Sequence, residues 1–191
     1  MIGDMKILRK LSGAADGLND LIGVSIRWLT LAMVAVGALG ALLRYFSRGW
    51  GMSLNLTPWI ELQWYMFSVI FLLGAAYGLR HDVHVRVDIL YSLLSAKGRA
   101  WVDLAGTLLF LVPFSILMLW VSYPAVRNSW SIRETSPDPD GLVRYPVKAL
   151  ILVSFVLLLL QAFSQIVKHV DVIRGTAEPV DPRAHEPEVH V

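Results

Sequence analysis

The chain has 191 residues, 55% of them hydrophobic and 17% charged, with a net charge of +2 and no cysteine. The absence of cysteine excludes disulfides, thiol catalysis and cysteine-ligated metals. The charges gather in short blocks and leave apolar runs near the ~20 residues that a helix needs to cross ~30 Å of hydrocarbon. The basic residues flank these runs instead of forming one face, which speaks for membrane topology and against a nucleic-acid partner.

Residues 5–22 come first. Leu8, Leu11, Ala15, Leu18 and Ile22 recur at spacings of three and four, which stacks them on one helical face. Such a helix is too polar to span. It lies in the interface plane as an amphipathic element, or it packs on protein as a lead-in to the first span; the spacing fits both. Lys6, Arg9 and Lys10 precede an apolar run that begins late and is long enough to span, so no cleavable leader is expected.

Four spans are predicted, at about 24–43, 59–79, 101–123 and 146–167, within a single membrane domain of residues 1–170. The first is rich in glycine and alanine, and Gly37 and Gly40 offer a face for close helix approach. Pro58 opens the second, a favoured early-helix position. Trp59, Trp64 and Tyr65 form an aromatic belt. Glu61 in its first turn reads either as an interfacial carboxylate favoured by the helix dipole or as a contact or ion-coupling acid. In the third span Pro113 predicts a kink. The loop 124–145 contains the turn-rich Ser136–Gly141. Residues 171–191 are polar, contain Pro179, Pro182 and Pro187, and read as a disordered tail.

An even number of spans places both termini and the 77–99 loop on one side. That side holds Lys6, Arg9, Lys10, Arg27, Arg80, Arg86, Lys97, Arg99, Lys168, Arg174 and Arg183, eleven of the seventeen basic residues. Arg44, Arg48, Arg127, Arg133, Arg144 and Lys148 lie on the other. The bias predicts cytoplasmic termini.

The most patterned stretch is the 77–99 loop, YGLRHDVHVRVDILYSLLSAKGR, where Arg80, His81, Asp82, His84, Arg86 and Asp88 crowd into nine positions. Asp88 can cap a short amphipathic helix, ILYSLLS, with Lys97-Gly98-Arg99 ending it before the third span. As a metal site the loop offers His81 and His84 with Asp82 or Asp88, but a lone His pair lacks a second pair. A haem anchor needs histidines inside the spans, and all five lie outside or at the edge of them. An assembly element that registers this chain against another membrane protein fits the composition best.

No strongly ionisable residue sits near the centre of a predicted span, where transport acids are expected. No Gly/Pro-broken pair recurs in two halves, and there is no phosphate loop or catalytic triad. The pattern points away from an enzyme and towards an accessory subunit.

The block E-x-x-W (Glu61–Trp64) and the run F-x-x-x-x-L-L-G-A-A-Y-x-L-R-x-D-x-H-V-R-V-D-I-L-Y (Phe67–Tyr91) resemble the small membrane subunit of tripartite ATP-independent periplasmic (TRAP) transporters. Arg99, Trp101 and Asp103, S-x-D-P-x-G-L (Ser136–Leu142), Pro146 and Lys148 are similar as well. The likeness covers roughly 24–170.

The resemblance implies four spans in the bacterial inner membrane and a large multi-span partner that binds sodium and substrate. It also implies a periplasmic binding protein that delivers an organic acid or related solute, and no cofactor in this chain. By motif, Glu61, Trp64, Arg80, Asp82, His84, Arg86 and Asp88 are assigned to assembly. Arg127, Arg133, Glu134, Asp138, Asp140 and Arg144 form a docking surface for the binding protein, or a solvated loop. The rival classes are a membrane-anchor subunit of a redox complex, which predicts bound haem, and a self-assembling channel, which predicts a homo-oligomer.

Overall fold

The computed structural model describes residues 2–49, 54–81 and 94–176. Among the described residues four helices are long and apolar enough to cross a membrane. They are α1 (Ile2–Gly49), α2 (Thr57–Arg80), α3 (Ala96–Ser131) and α4 (Tyr145–Arg174). Among the described residues there is no strand, only an isolated antiparallel bridge between Thr135 and Val143.

The N-terminal stretch and the first span are one helix, not an interfacial helix followed by a span. At ~1.5 Å per residue the 48 residues of α1 extend ~72 Å, far beyond ~30 Å of hydrocarbon. The face that α1 turns inward is also not the leucine stripe. Of that stripe Ala15 is buried and Leu8 and Ile22 are half-buried, but Leu11 and Leu18 are 54% and 41% exposed, and the polar Ser12 and Asn19 are buried instead. The stretch is therefore a lead-in packed on protein, with its small and polar residues inside. In lipid an apolar side chain gains little by leaving the hydrocarbon, so small residues and hydrogen bonds decide which face meets a neighbour.

Pro58 stands in the first turn of α2, and Asn55 Oδ1 accepts from the Thr57 amide at 3.0 Å, satisfying one free donor of the helix start. Ser95 caps α3, its hydroxyl accepting from the Gly98 amide at 3.2 Å. Lys97, Gly98 and Arg99 thus form the first turn of α3 and do not end a preceding helix. The proposed helix ILYSLLS lies mostly outside the described residues.

A π segment, Thr107–Leu111, interrupts α3 immediately before Pro113. A proline removes one backbone donor and crowds the preceding turn, and a one-turn widening absorbs both. The helix continues through Pro124 to Ser131, eight residues past the predicted exit. The packing of Val126 and Ser129 outlasts the one hydrogen bond that Pro124 cannot make. Helix α4 also outruns its prediction. It ends at Arg174, where Gly175 takes φ 72° and the Thr176 amide donates to the Asp171 carbonyl at 3.0 Å. Residues 171–174, predicted as the start of the tail, are thus helical, and residues 177–191 lie outside the described residues.

Helix α4 is the centre of the assembly, in contact with α1, α2 and α3. Helices α1 and α2 pack together, and α3 rests chiefly on α4. At Gly23 a Cβ would overlap the Tyr77 ring, so α1 and α2 approach there as closely as a bare backbone permits. Phe114 meets Phe155 edge-on across α3 and α4, with ring centroids 6.0 Å apart. The outer faces stay apolar, with Trp28, Trp64, Phe71, Phe110 and Trp120 all exposed.

Candidate functional site

Two polar clusters join the helices, one at each end. The first gathers the segments that the sequence singles out separately, E-x-x-W and S-x-D-P-x-G-L. Glu61, in the first turns of α2, is buried beneath the 132–144 loop. Its carboxylate accepts from the Ser136 hydroxyl and, at 2.5 Å, from the Leu142 amide. Arg144 lies 3.7 Å from that carboxylate and donates to Ser136 Oγ at 3.2 Å. The Tyr65 hydroxyl donates to the Leu142 carbonyl at 3.2 Å.

The loop has its own frame. The Ser136 amide donates to Leu142 O at 3.0 Å and the Arg144 amide to Glu134 O at 2.9 Å. Gly141 is required by close approach, since a Cβ there would meet Ser136 and, at 3.0 Å, Glu61 Oε2. Lys148, from the first turn of α4, pairs with Glu134. That ammonium, above all, holds the Glu134 carboxyl below its ordinary value. Trp130 stacks edge-on to Tyr145, with ring centroids 4.7 Å apart, and closes the base of the loop.

Of the residues predicted as a docking surface, Glu134 and Arg144 therefore turn inward. Arg127, Arg133, Asp138 and Asp140 are exposed. Asp140 accepts from Asn55 Nδ2 at 2.8 Å, which ties the loop to the start of α2. Trp64, one turn after Glu61, faces away from the protein and is 66% exposed.

The second cluster lies where the start of α1 runs antiparallel to the end of α4, and the sequence reading missed it. Asp16 accepts from Ser164 Oγ at 2.7 Å and Gln161 Nε2 at 3.1 Å, and pairs with Lys168 at 2.6 Å. Asn19 Nδ2 donates to Gln161 Oε1 at 2.7 Å. Ser12 and Ser164 share a hydrogen bond of 2.8 Å, and Arg9 pairs with Asp171 at 2.7 Å. The seam continues onto α2, where Gln165 donates to Leu79 O at 2.7 Å and Ser154 to Leu72 O at 2.6 Å. The signal was present in the polar spacing itself. Ser12, Asp16 and Asn19 share one face of α1, and Gln161, Ser164, Lys168 and Asp171 share one face of α4.

At the same end Arg80 pairs with Asp20 at 2.6 Å, and His81 Nε2 lies 3.2 Å from Asp20 Oδ1. The His81 ring rests on Tyr77, with centroids 4.3 Å apart. The last turn of α2 is thus held against α1 just before the charged loop. Asp82, His84, Arg86 and Asp88 lie outside the described residues. Among the described residues no three His, Asp or Glu side chains come together in a metal-binding group.

Fold and site together define an all-helical membrane protein whose polar side chains brace its own helices and leave apolar faces outward. Residues 33–172 match the model of the DctQ component of tripartite ATP-independent periplasmic transporters. The chain belongs to that family and is the small component of a TRAP transporter. The family is one of transporter components rather than of enzymes. No curated protein and no solved structure matches the chain.

Proposed function

We propose that this chain is the scaffold subunit of a sodium-driven importer in the bacterial inner membrane. It holds a large multi-span partner that binds sodium and solute, and a periplasmic binding protein delivers an organic acid or related solute to the pair. The chain itself carries no cofactor. Its termini face the cytoplasm, in keeping with the excess of basic residues at that end.

The observation that carries this reading is how the polar groups are used. Asp16, Gln161 and Lys168 at one end, and Glu61, Arg144 and Lys148 at the other, join the protein's own helices. A scaffold needs such rigidity and an outer surface compatible with lipid and partner. The placement of α3, packed chiefly on α4, leaves the sides of α1 and α2 open. Trp64 on the outer face of α2, and Arg80, Asp82, His84, Arg86 and Asp88 around the charged loop, serve assembly with the large subunit. Arg127, Arg133, Asp138 and Asp140, exposed at the other end, meet the binding protein.

Reconstitution tests the reading. Proteoliposomes holding both membrane subunits and supplied with the binding protein should take up solute when sodium is high outside. Omitting this chain, or reversing charge at Arg86 or Asp88, should reduce uptake by loosening assembly. Full uptake without the chain, or charge-reversed variants that co-purify normally yet transport poorly, would count against a scaffold role. The redox-anchor alternative finds no support in a family of transporter components.

A further inference from the structure

The upper half of α1 and the start of α2 diverge around an open groove of about 920 Å³. Gly37, Gly40 and Ala41 form its floor, and Trp59 and Ile60 of α2 form its wall. A Cβ on Gly40 would meet nothing within 4 Å, so the floor is open there, whereas at Gly37 it would meet the Gln63 side chain of α2 at 2.6 Å, which closes the inner end of the groove. At its mouth stand Arg44 and Arg48, both exposed. Positions 37, 41, 44 and 48 follow a spacing of four, three and four, so the guanidinium groups and the apolar floor share one face of α1.

The same end of the protein shows what its other cations do. Arg144 approaches Glu61 and Lys148 pairs with Glu134, whereas Arg127 and Arg133 on the loop side are exposed. Arg44 and Arg48 have no ion pair among the described residues. Both stand in the last turns of α1, where the helix dipole favours cations, but that does not account for an apolar trough leading to them. From Gly37 to Arg48 is eleven residues, or ~16 Å of helix at ~1.5 Å each. That is about half of the ~30 Å hydrocarbon thickness, the depth of one leaflet.

We propose that this groove binds an anionic phospholipid, with the phosphate between Arg44 and Arg48 and an acyl chain laid over Gly40 and Ala41. Arginine suits the headgroup because its planar fork donates two parallel hydrogen bonds to phosphate. Tyr45 and Trp59 flank the mouth, the residue types that settle at headgroup level. At Gly40 the bare backbone lets the chain lie against the helix. The site depends only on the four-span fold and not on the transport reading.

The test uses the transporter purified from membranes in mild detergent, with lipids retained on this chain counted by native mass spectrometry after exchange into phosphatidylglycerol or phosphatidylcholine. The wild-type chain should retain phosphatidylglycerol preferentially. Arg44→Gln with Arg48→Gln should lower that retention about thirtyfold, from the ~1 kcal/mol, or about fivefold, that each basic residue contributes at an anionic membrane surface. Retention of phosphatidylcholine should not change. Gly40→Leu should displace both lipids, because the side chain enters space that is empty of protein. Inorganic phosphate alone should not compete. Both variants alter exposed or open positions, so they should keep the melting temperature of the parent.

Equal retention of both lipids in all variants would overturn the proposal. So would displacement by inorganic phosphate, which would mark a simple anion site. Cross-linking of Gly40→Cys to the large subunit in place of lipid would overturn it too, by showing that a partner helix fills the groove.

Discussion

Gln161 and Asn19 are both fully buried and bonded to each other, yet the structure predicts very different costs for removing them. Gln161 makes two bonds: it accepts from Asn19 at 2.7 Å and donates to the Asp16 carboxylate at 3.1 Å. A bond to a charged group contributes ~1.5–3 kcal/mol, and an interhelical bond between neutral side chains in a membrane protein contributes ~0.6–1.7 kcal/mol. Gln161→Ala should therefore cost ~2–5 kcal/mol, with the vacated volume adding to it. Asn19 donates that single bond, and its Oδ1 is buried with no partner. Asn19→Ala removes that orphaned acceptor but strands the buried Gln161 Oε1 in its place, so the net cost is that of the one lost neutral bond, ~1 kcal/mol.

At ~2–4 °C per kcal/mol for a chain of this size, Gln161→Ala should lower Tm by roughly 10 °C. Asn19→Ala should lower it by less than about 4 °C. Thermal unfolding of the detergent-solubilised chain, followed by intrinsic tryptophan fluorescence, reads both values. A double-mutant cycle then isolates the pair. Equal losses in the two variants, or a larger loss at Asn19, would refute the claim that Gln161 is the hub joining α1 to α4.

Three further outcomes follow from the same geometry. Glu61→Ala leaves the Leu142 amide and the Ser136 hydroxyl without their acceptor; hydrogen exchange across 134–144 should quicken at least about tenfold while the α1–α4 contact stays protected, and unchanged exchange would remove Glu61 from the role of anchor. The Glu134 carboxyl is held below its ordinary value of 4.5 chiefly by Lys148, so the pair's contribution is present above that value and is lost as pH falls through the lower folded value. Protease cleavage in the loop should accordingly rise on acidification below about pH 4.5 in the parent and be less pH-dependent in Lys148→Met. Gly23→Ala should destabilise α1 against α2 through overlap with the Tyr77 ring, at ~1–3 kcal/mol, whereas Gly40→Ala should leave Tm unchanged; equal effects at the two positions would mean the close approach is misplaced.

The apolar runs told where the helices lie because span length and hydrophobicity are local properties. They did not tell which face turns inward. Leu11 and Leu18 form the more regular stripe, and in water that stripe would be the core. In a membrane the ordering reverses, and Ser12, Asp16 and Asn19 take the inside because α4 presents Gln161, Ser164 and Lys168 to them. The family motifs were legible as strings, but a single sequence holds no sign that Glu61 meets Ser136 and Leu142 some eighty positions on. The third span is expected to end at 123, where its apolar run gives out; the packing of Val126 and Ser129 that carries the helix on through Pro124 is a tertiary property. The charged loop was the most specific pattern, and of the six ionisable residues crowded at 80–88 the structure describes Arg80 and His81, both turned towards Asp20.

The central claim is that this chain works as the scaffold of a larger transporter. The most direct test is gentle extraction of the tagged chain from its native membrane, with mass, stoichiometry and visible spectrum recorded on the same sample. The account predicts a colourless complex of one copy with one large multi-span protein. A chain that purifies alone as a homo-oligomer, or one that carries a haem band, would contradict it.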